Sequence, residues 1–218
     1  MERIAGGNES DVYRTDDARF VVKLKNEPYP TVAEALLDAQ KLRAAAAEFA
    51  EIIGSEHSIP SHFLIAGNGT CQAYIIITQS YLKDSQPLFF IDYAALSPEL
   101  RRQVADQLQT IIRRSIRSYW RRGVIPDIYG RSAASPEERV RRNSLPQLPA
   151  RMWSFLVRRT LLRAHNLLLT PEQQIRLIDY DPVRQPELYK RIYYAVRATL
   201  FLRDIFFIWL MKHTGWAY

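Results

Sequence analysis

A chain of 218 residues with 47% hydrophobic and 24% charged residues can bury a sizeable core, which excludes wholesale disorder. A single cysteine, Cys71, excludes an intramolecular disulfide and a Cys-rich zinc site, and the four histidines (His57, His62, His165, His213) show no metal-ligand spacing. The net charge of +7 is regional: from Arg101 to Arg163 stand fifteen Arg, no Lys and four acids, a balance of +11 that leaves −4 for the rest.

Met1 to Gly7 holds no apolar stretch of signal-peptide length, so a cytoplasmic protein is expected. The next residues predict a small β-meander. Ile4-Ala5, the turn Gly6 to Ser10 and Asp11 to Arg14 form strand, turn and strand; Thr15-Asp16-Asp17 turns again before Arg19 to Lys25. In that last strand, alternation places Lys23 and Lys25 on one face, where lysines usually meet solvent.

A helix is predicted from Thr31 to Ile53, opened by a capping box (Thr31 with Glu34 three residues later), carried by Ala44 to Ala47 and bounded by Gly54. Two strands follow, Phe63 to Ala66 and Gln72 to Thr78, around Gly67-Asn68-Gly69. Periodicity fades after Gln79-Ser80-Tyr81-Leu82. A long helix then runs from Ser97 to Arg122, starting at Ser97-Pro98-Glu99 and stopping at Gly123. Its apolar positions Val104, Leu108, Ile111 and Ile112 recur at helical spacing, and its arginines read as a solvated face or as the contact for a phosphate-rich partner.

Val124 to Ile128 is a short apolar element holding Asp127. Beyond it lies an irregular Arg/Pro/Ser-rich insertion (about 128–164) with a helix expected at Met152 to Arg163. Next, Leu167-Leu168-Leu169 and Ile175-Arg176-Leu177-Ile178, joined by Thr170 to Gln174, predict a hairpin over about 166–180. Asn166 and Asp179 would then share one end of it. Such residues commonly cap local backbone groups; together they also make two oxygen donors suited to a divalent cation on a polyphosphate. Pro186 to His213 reads as a terminal helix. Its apolar run from Thr199 to Met211 is interrupted by Arg203 and Asp204, so no transmembrane segment is expected; burial is, with a partner or membrane-surface contact as the alternative.

This order of elements resembles the protein-kinase-like fold, more particularly small divergent bacterial kinase-like proteins related to the lipopolysaccharide, aminoglycoside and Rio-type kinases. The resemblance implies an α+β, two-lobed architecture: a β-rich N-terminal lobe with one long helix over 1–82, and a mainly helical C-terminal lobe over 83–218. Gly6-Gly7-Asn8-Glu9-Ser10-Asp11-Val12-Tyr13 is similar to the Gly-rich loop over the phosphates of ATP, without its three-glycine spacing. Val21-Val22-Lys23 is similar to the strand whose Lys holds those phosphates. Glu34, Glu48 and Glu51 are candidates for the helix acid paired with that Lys, with Glu48 preferred because it lies nearer the following strand.

The same resemblance puts Gln79 and Tyr81 at the inter-lobe hinge beside adenine, Asp127 in the place of the catalytic base, and Asn166 with Asp179 as the Mg²⁺ ligands, Asp179-Tyr180-Asp181 standing for Asp-Phe-Gly. It implies ATP and Mg²⁺ as cofactors and an anionic small molecule or a protein as acceptor. Asp127 and Asn166 stand 39 positions apart (166 − 127), where typical members have about five. The resemblance therefore leaves two readings, an active phosphotransferase and a pseudokinase used as a nucleotide- or partner-binding scaffold. Nucleic-acid binding through the Arg stretch ranks last, because no nucleic-acid motif appears. The oligomeric state is not fixed by the sequence.

Overall fold

The first three strands form as the meander predicts, because each apolar run ends at a turn that cannot continue it. In the computed structural model, which describes residues 1–6, 10–67, 69, 72–126, 128–129, 160–179 and 187–216, β1 (Glu2–Gly6), β2 (Ser10–Arg14) and β3 (Phe20–Lys25) are followed by α1 (Val32–Ile53). Then come β4 (Ser61–Gly67), β5 (Ala73–Ser80) and a two-residue β6 (Gln86–Pro87). The chain continues as α2 (Pro98–Arg122), β7 (Leu167–Leu169), β8 (Ile175–Leu177) and α3 (Glu187–Thr214). Gly7, Asn8, Cys71, Asp127, most of the Arg-rich insertion and Asp181 lie outside the described residues.

Five strands make one antiparallel sheet in the order β1-β2-β3-β5-β4, and β6-β7-β8 make a second, smaller one. The architecture is thus α+β, with an N-terminal antiparallel sheet and a helical C-terminal part. Register assigns the faces of the large sheet. Val12, Lys23, Ile77 and Phe63 are cross-strand partners and share a face, as do Lys25 and Ser10. One end of that face packs on α1, where Ala35, Ala39 and Leu42 meet Ile75, Ile65 and Ile77.

α1 starts where the capping box places it: Thr31 is extended and its hydroxyl accepts from the Glu34 amide at 3.2 Å. Its later turns serve a different core. Phe49, Ile52 and Ile53 belong with Leu108, Ile111 and Phe201 in the main apolar cluster, so α1 joins the sheet to the helical part. α2 begins with Ser97 accepting from the Leu100 amide at 3.2 Å and ends at Gly123 in the left-handed region. Two of its seven arginines are structural. Arg114 donates to the Ile53 carbonyl and to Glu56, both at 2.6 Å, and Arg122 pairs with Glu51 at 2.5 Å.

Two expectations change. Most of the helix foreseen at Met152 to Arg163, residues 152–159, lies outside the described residues, and its described end is a 3₁₀ turn over Leu161–Arg163 in which the Leu161 amide donates to the Asp204 carboxylate. β6 was not foreseen, since a two-residue strand containing proline carries no periodic signal; it borders the hairpin through Gln86 and Pro87. Among the described residues no helix is long and apolar enough to cross a membrane.

Gly54 sits at φ 99°, and a Cβ there would lie 2.0 Å from the Arg114 guanidinium. Gly123, at φ 71°, has open space around the same position. Gly54→Ala therefore combines backbone strain with displacement of Arg114 and lowers unfolding free energy by about 2–3 kcal/mol in urea denaturation, whereas Gly123→Ala costs about 1 kcal/mol.

Candidate functional site

The uncovered end of the sheet's inner face holds the first functional side chain. Lys23 is half-buried on β3 between its cross-strand partners Val12 and Ile77, and its ammonium donates to the Ile178 carbonyl at 2.5 Å. This bond joins the large sheet to the residue directly before Asp179. The hairpin then orders the rest. Leu167 pairs with Leu177 and the Ile178 amide donates to the Asn166 carbonyl at 3.0 Å, so Asn166 and Asp179 flank the same end of the hairpin. Its far end closes as a tight turn, with the Thr170 amide donating to the Gln174 carbonyl at 2.9 Å and Gln173 at φ 63°.

The other candidate positions divide. Gln79 is buried and its side chain donates to the Ser61 hydroxyl at 2.8 Å, which leaves its backbone as the part able to meet a ligand. Tyr81 donates its amide to the Arg19 carbonyl, and the Arg14 guanidinium stands 5.7 Å from its ring centre. Over Gly6 runs an ion pair between Arg3 and Asp11 at 2.7 Å, and a Cβ at Gly6 would fall 2.2 Å from the Arg3 guanidinium. Glu48, half-buried on α1, has Arg122 as its charged neighbour. Among the described residues Lys23 makes no ion pair with Glu34, Glu48 or Glu51.

The acid that does join β3 to α1 is Asp38, which pairs with Lys25 at 3.9 Å and accepts from the Tyr29 hydroxyl. A sequence signal for it existed. Asp38 falls within one position of the buried stripe Ala35, Ala39, Leu42, so a helical projection places it beside the sheet.

Asp127 lies outside the described residues, but both its neighbours are fixed. Pro126 and Ile128 are buried, and the Tyr129 carbonyl accepts from the His165 amide at 3.0 Å, which brings the segment that carries Asp127 against the residue before Asn166. One buried group holds this junction. Asp204, on α3 with no exposed surface, accepts from the Tyr129 hydroxyl at 2.5 Å, from the Leu161 amide at 3.2 Å and from Arg203 at 2.7 Å. Burial raises its pKa above the usual carboxylate range, with Arg203 opposing. Arg197, also buried, places its guanidinium 4.2 Å from the Tyr129 ring centre. Read in sequence, Asp204 was an interruption in an apolar run. In the fold it is the anchor of the site, and the informative signal was a carboxylate amid aromatics, which must find partners.

The hairpin has a second fastening. His57 is buried and its Nδ1–H donates to the Ile175 carbonyl at 2.9 Å, while Ser58 bridges to Leu177. His165 stacks on Phe89 with ring centres 4.2 Å apart. For both histidines burial lowers the pKa.

The donor set suits Mg²⁺ more than a soft metal. Asn166 and Asp179 offer hard oxygens, and Mg²⁺ is held by one or two carboxylates with substrate phosphates completing its shell. Among the described residues no group of three His, Cys, Asp or Glu could hold a metal on its own.

No protein-family model and no curated protein matches the chain. Among solved structures it is similar to a MAP kinase from Leishmania major, with 9% identity over 84% of this chain, a TM-score of 0.43 and 46% of that chain covered. The chain therefore spans about half the length of the structure it matches. At that identity and score no residue role is carried across.

Removing the anchor has a measurable cost. Asp204→Ala leaves the Tyr129 hydroxyl, the Leu161 amide and Arg203 without their acceptor and lowers stability by about 3–5 kcal/mol in urea denaturation. For His57 the lowered pKa means that the folded state resists protonation. Its stabilising contribution is complete above the ordinary histidine pKa of about 6.5 and is lost as pH falls through the lower folded value. The urea midpoint of the wild type should drop below about pH 6.5, and His57→Gln should show a flatter profile.

Proposed function

We propose that the chain is a phosphotransferase of protein-kinase-like fold that uses ATP with Mg²⁺ and passes a phosphoryl group to an anionic acceptor. The observation that carries the reading is the bond from Lys23 Nζ to the Ile178 carbonyl. It sets a strand cation beside a hairpin end that bears Asn166 and Asp179. The sheet order and the sequence of strands, helix, strands, helix and hairpin support the same reading.

Each residue then has a chemical task. Lys23, a point cation on a rigid strand, binds the α- and β-phosphates, for which its ammonium must leave or share the Ile178 carbonyl. Val12 supplies apolar contact above the nucleotide, with Gly6, Gly7 and Asn8 forming the turn over the phosphates. Backbone groups at Gln79 and Tyr81 meet the adenine edge. Asn166 and Asp179 hold Mg²⁺, which when bound neutralises charge on the transferring phosphates. Asp127 orients the acceptor hydroxyl and takes its proton. The arginines between Arg101 and Arg163 favour an anionic acceptor, a phosphorylated sugar or a lipid headgroup.

A specific observation favours a second reading, the pseudokinase. Active kinases of this fold need the strand Lys paired to a helix acid. Here the strand-to-helix ion pair is Lys25 with Asp38, one strand period beyond Lys23. On that reading the cleft binds nucleotide or a partner without turnover.

The two separate on a pair of measurements. An active enzyme shows ATP hydrolysis or autophosphorylation that falls on the order of 100-fold or more in Asp179→Ala. A pseudokinase shows no turnover in either protein but keeps an upward thermal shift with ATP and Mg²⁺, about 2.7 kcal/mol at a hundred times Kd, reduced in Lys23→Ala. Absence of both turnover and shift at millimolar ATP removes both readings.

A further inference from the structure

The face of α3 opposite Asp204 is apolar and exposed. Leu188, Ile192, Ala195, Leu202, Phe206 and Trp209, with Thr199 and His213 completing the register, follow one another at alternating steps of four and three residues. All eight are exposed. The opposite face, with Arg197, Phe201, Asp204, Ile208 and Met211, is buried in the chain's own core. A helix apolar on both faces has a second surface to cover.

Charge and area say what kind of surface covers it. The seven steps from Leu188 to His213 span 25 residues, about 3.6 each, so the exposed positions form one straight stripe along the helix. Arg203 is held by Asp204 at 2.7 Å and Lys212 by Asp106 at 2.7 Å, so two of the cations beside the seam are neutralised within the chain, while Arg191 is exposed beside Ile192 at its N-terminal end. Those two pairs lessen the like-charge repulsion two copies would suffer and the attraction an anionic membrane would exert. From exposures of 40–73% for Leu188, Ile192, Val196, Leu202, Phe206 and Trp209, the accessible area of these side chains is on the order of 700 Å². A standard stable interface takes about 800 Å² per partner.

We propose that α3 pairs along this seam with α3 of a second copy of the chain, forming a two-fold homodimer whose interface lies on the helix face opposite Asp204.

Sedimentation of the full-length chain up to about 100 μM tests it. The expected result is a concentration-dependent dimer that becomes monomeric in Leu202→Glu/Phe206→Glu, with unchanged circular dichroism. The milder Leu202→Ala, which keeps helix propensity, should weaken the dimer at least about tenfold, since each copy loses a buried side chain. Three results would overturn the proposal. One is a wild type that stays monomeric at the highest concentration; another is a dimer retained unchanged in both variants. The third is a monomer that sediments with phosphatidylglycerol vesicles, which would assign the seam to a lipid surface.

Discussion

The junction between α3, the segment ending at Tyr129 and the turn that begins at Leu161 hangs on one buried carboxylate. Asp204 has no exposed surface, and its two oxygens accept from α3 itself, from the residue that ends the described stretch before the Arg-rich insertion and from the first turn after it. Tyr129 and Thr160 are separated by thirty residues, yet their neighbourhoods converge on the same side chain. Closing a loop of thirty rather than five residues costs only about 1.5 kcal/mol more in chain entropy. Hydrogen bonds to a charged group contribute about 1.5–3 kcal/mol each, so two of them offset that cost. The long spacing between Asp127 and Asn166 is therefore no obstacle to their segments meeting.

The elements that local chemistry dictates were legible in advance. α1 and α2 begin at Thr31 and Ser97 and stop at Gly54 and Gly123, since caps and glycines act within a few residues of themselves. The hairpin was legible for the same reason, its apolar runs being separated by a turn. What escaped were the pairings that depend on tertiary approach. Lys25 with Asp38, Gln107 bridging the backbone of Gln173 and Ile175, and Tyr129 with Asp204 each join residues from separate elements that no local sequence rule pairs. The candidate acids on α1 were drawn from glutamates because the resemblance names one; the stripe of buried alanines pointed to Asp38. Both strand lysines were assigned to one face correctly, but solvation was the wrong default for them. The same face is partly roofed by α1 and partly by the hairpin, so each lysine finds a carboxylate or a carbonyl.

The division of labour between those two lysines sharpens the functional question. Their side chains share a sheet face and stand two residues apart, about 7 Å along a strand. One faces a helix carboxylate and the other a backbone carbonyl beside the end of the hairpin that carries Asn166 and Asp179. A cation facing a carbonyl gives up less when a phosphate arrives than a cation in a salt bridge does, because the carbonyl carries no full charge. Lys23 is thus the lysine better placed to exchange its partner for an anion, and Lys25 the one better placed to fix α1 against the sheet.

α3 ties these threads together through its two faces. Inward, it buries Asp204 and Arg197 against Tyr129, a polar contact inside an apolar cluster that tolerates little movement, since a charged group with a lost partner is far more costly than a lost methyl group. Outward, Leu202 and Phe206 lie on either side of Asp204 in sequence but on the opposite face of the helix. A rigid neighbour on that outer face would restrict bending of α3 at the turn that carries the anchor. Geometry at the cleft depends on where Asp204 holds Tyr129 and Leu161, so stiffness supplied from outside the chain would reach the site through a single helix turn.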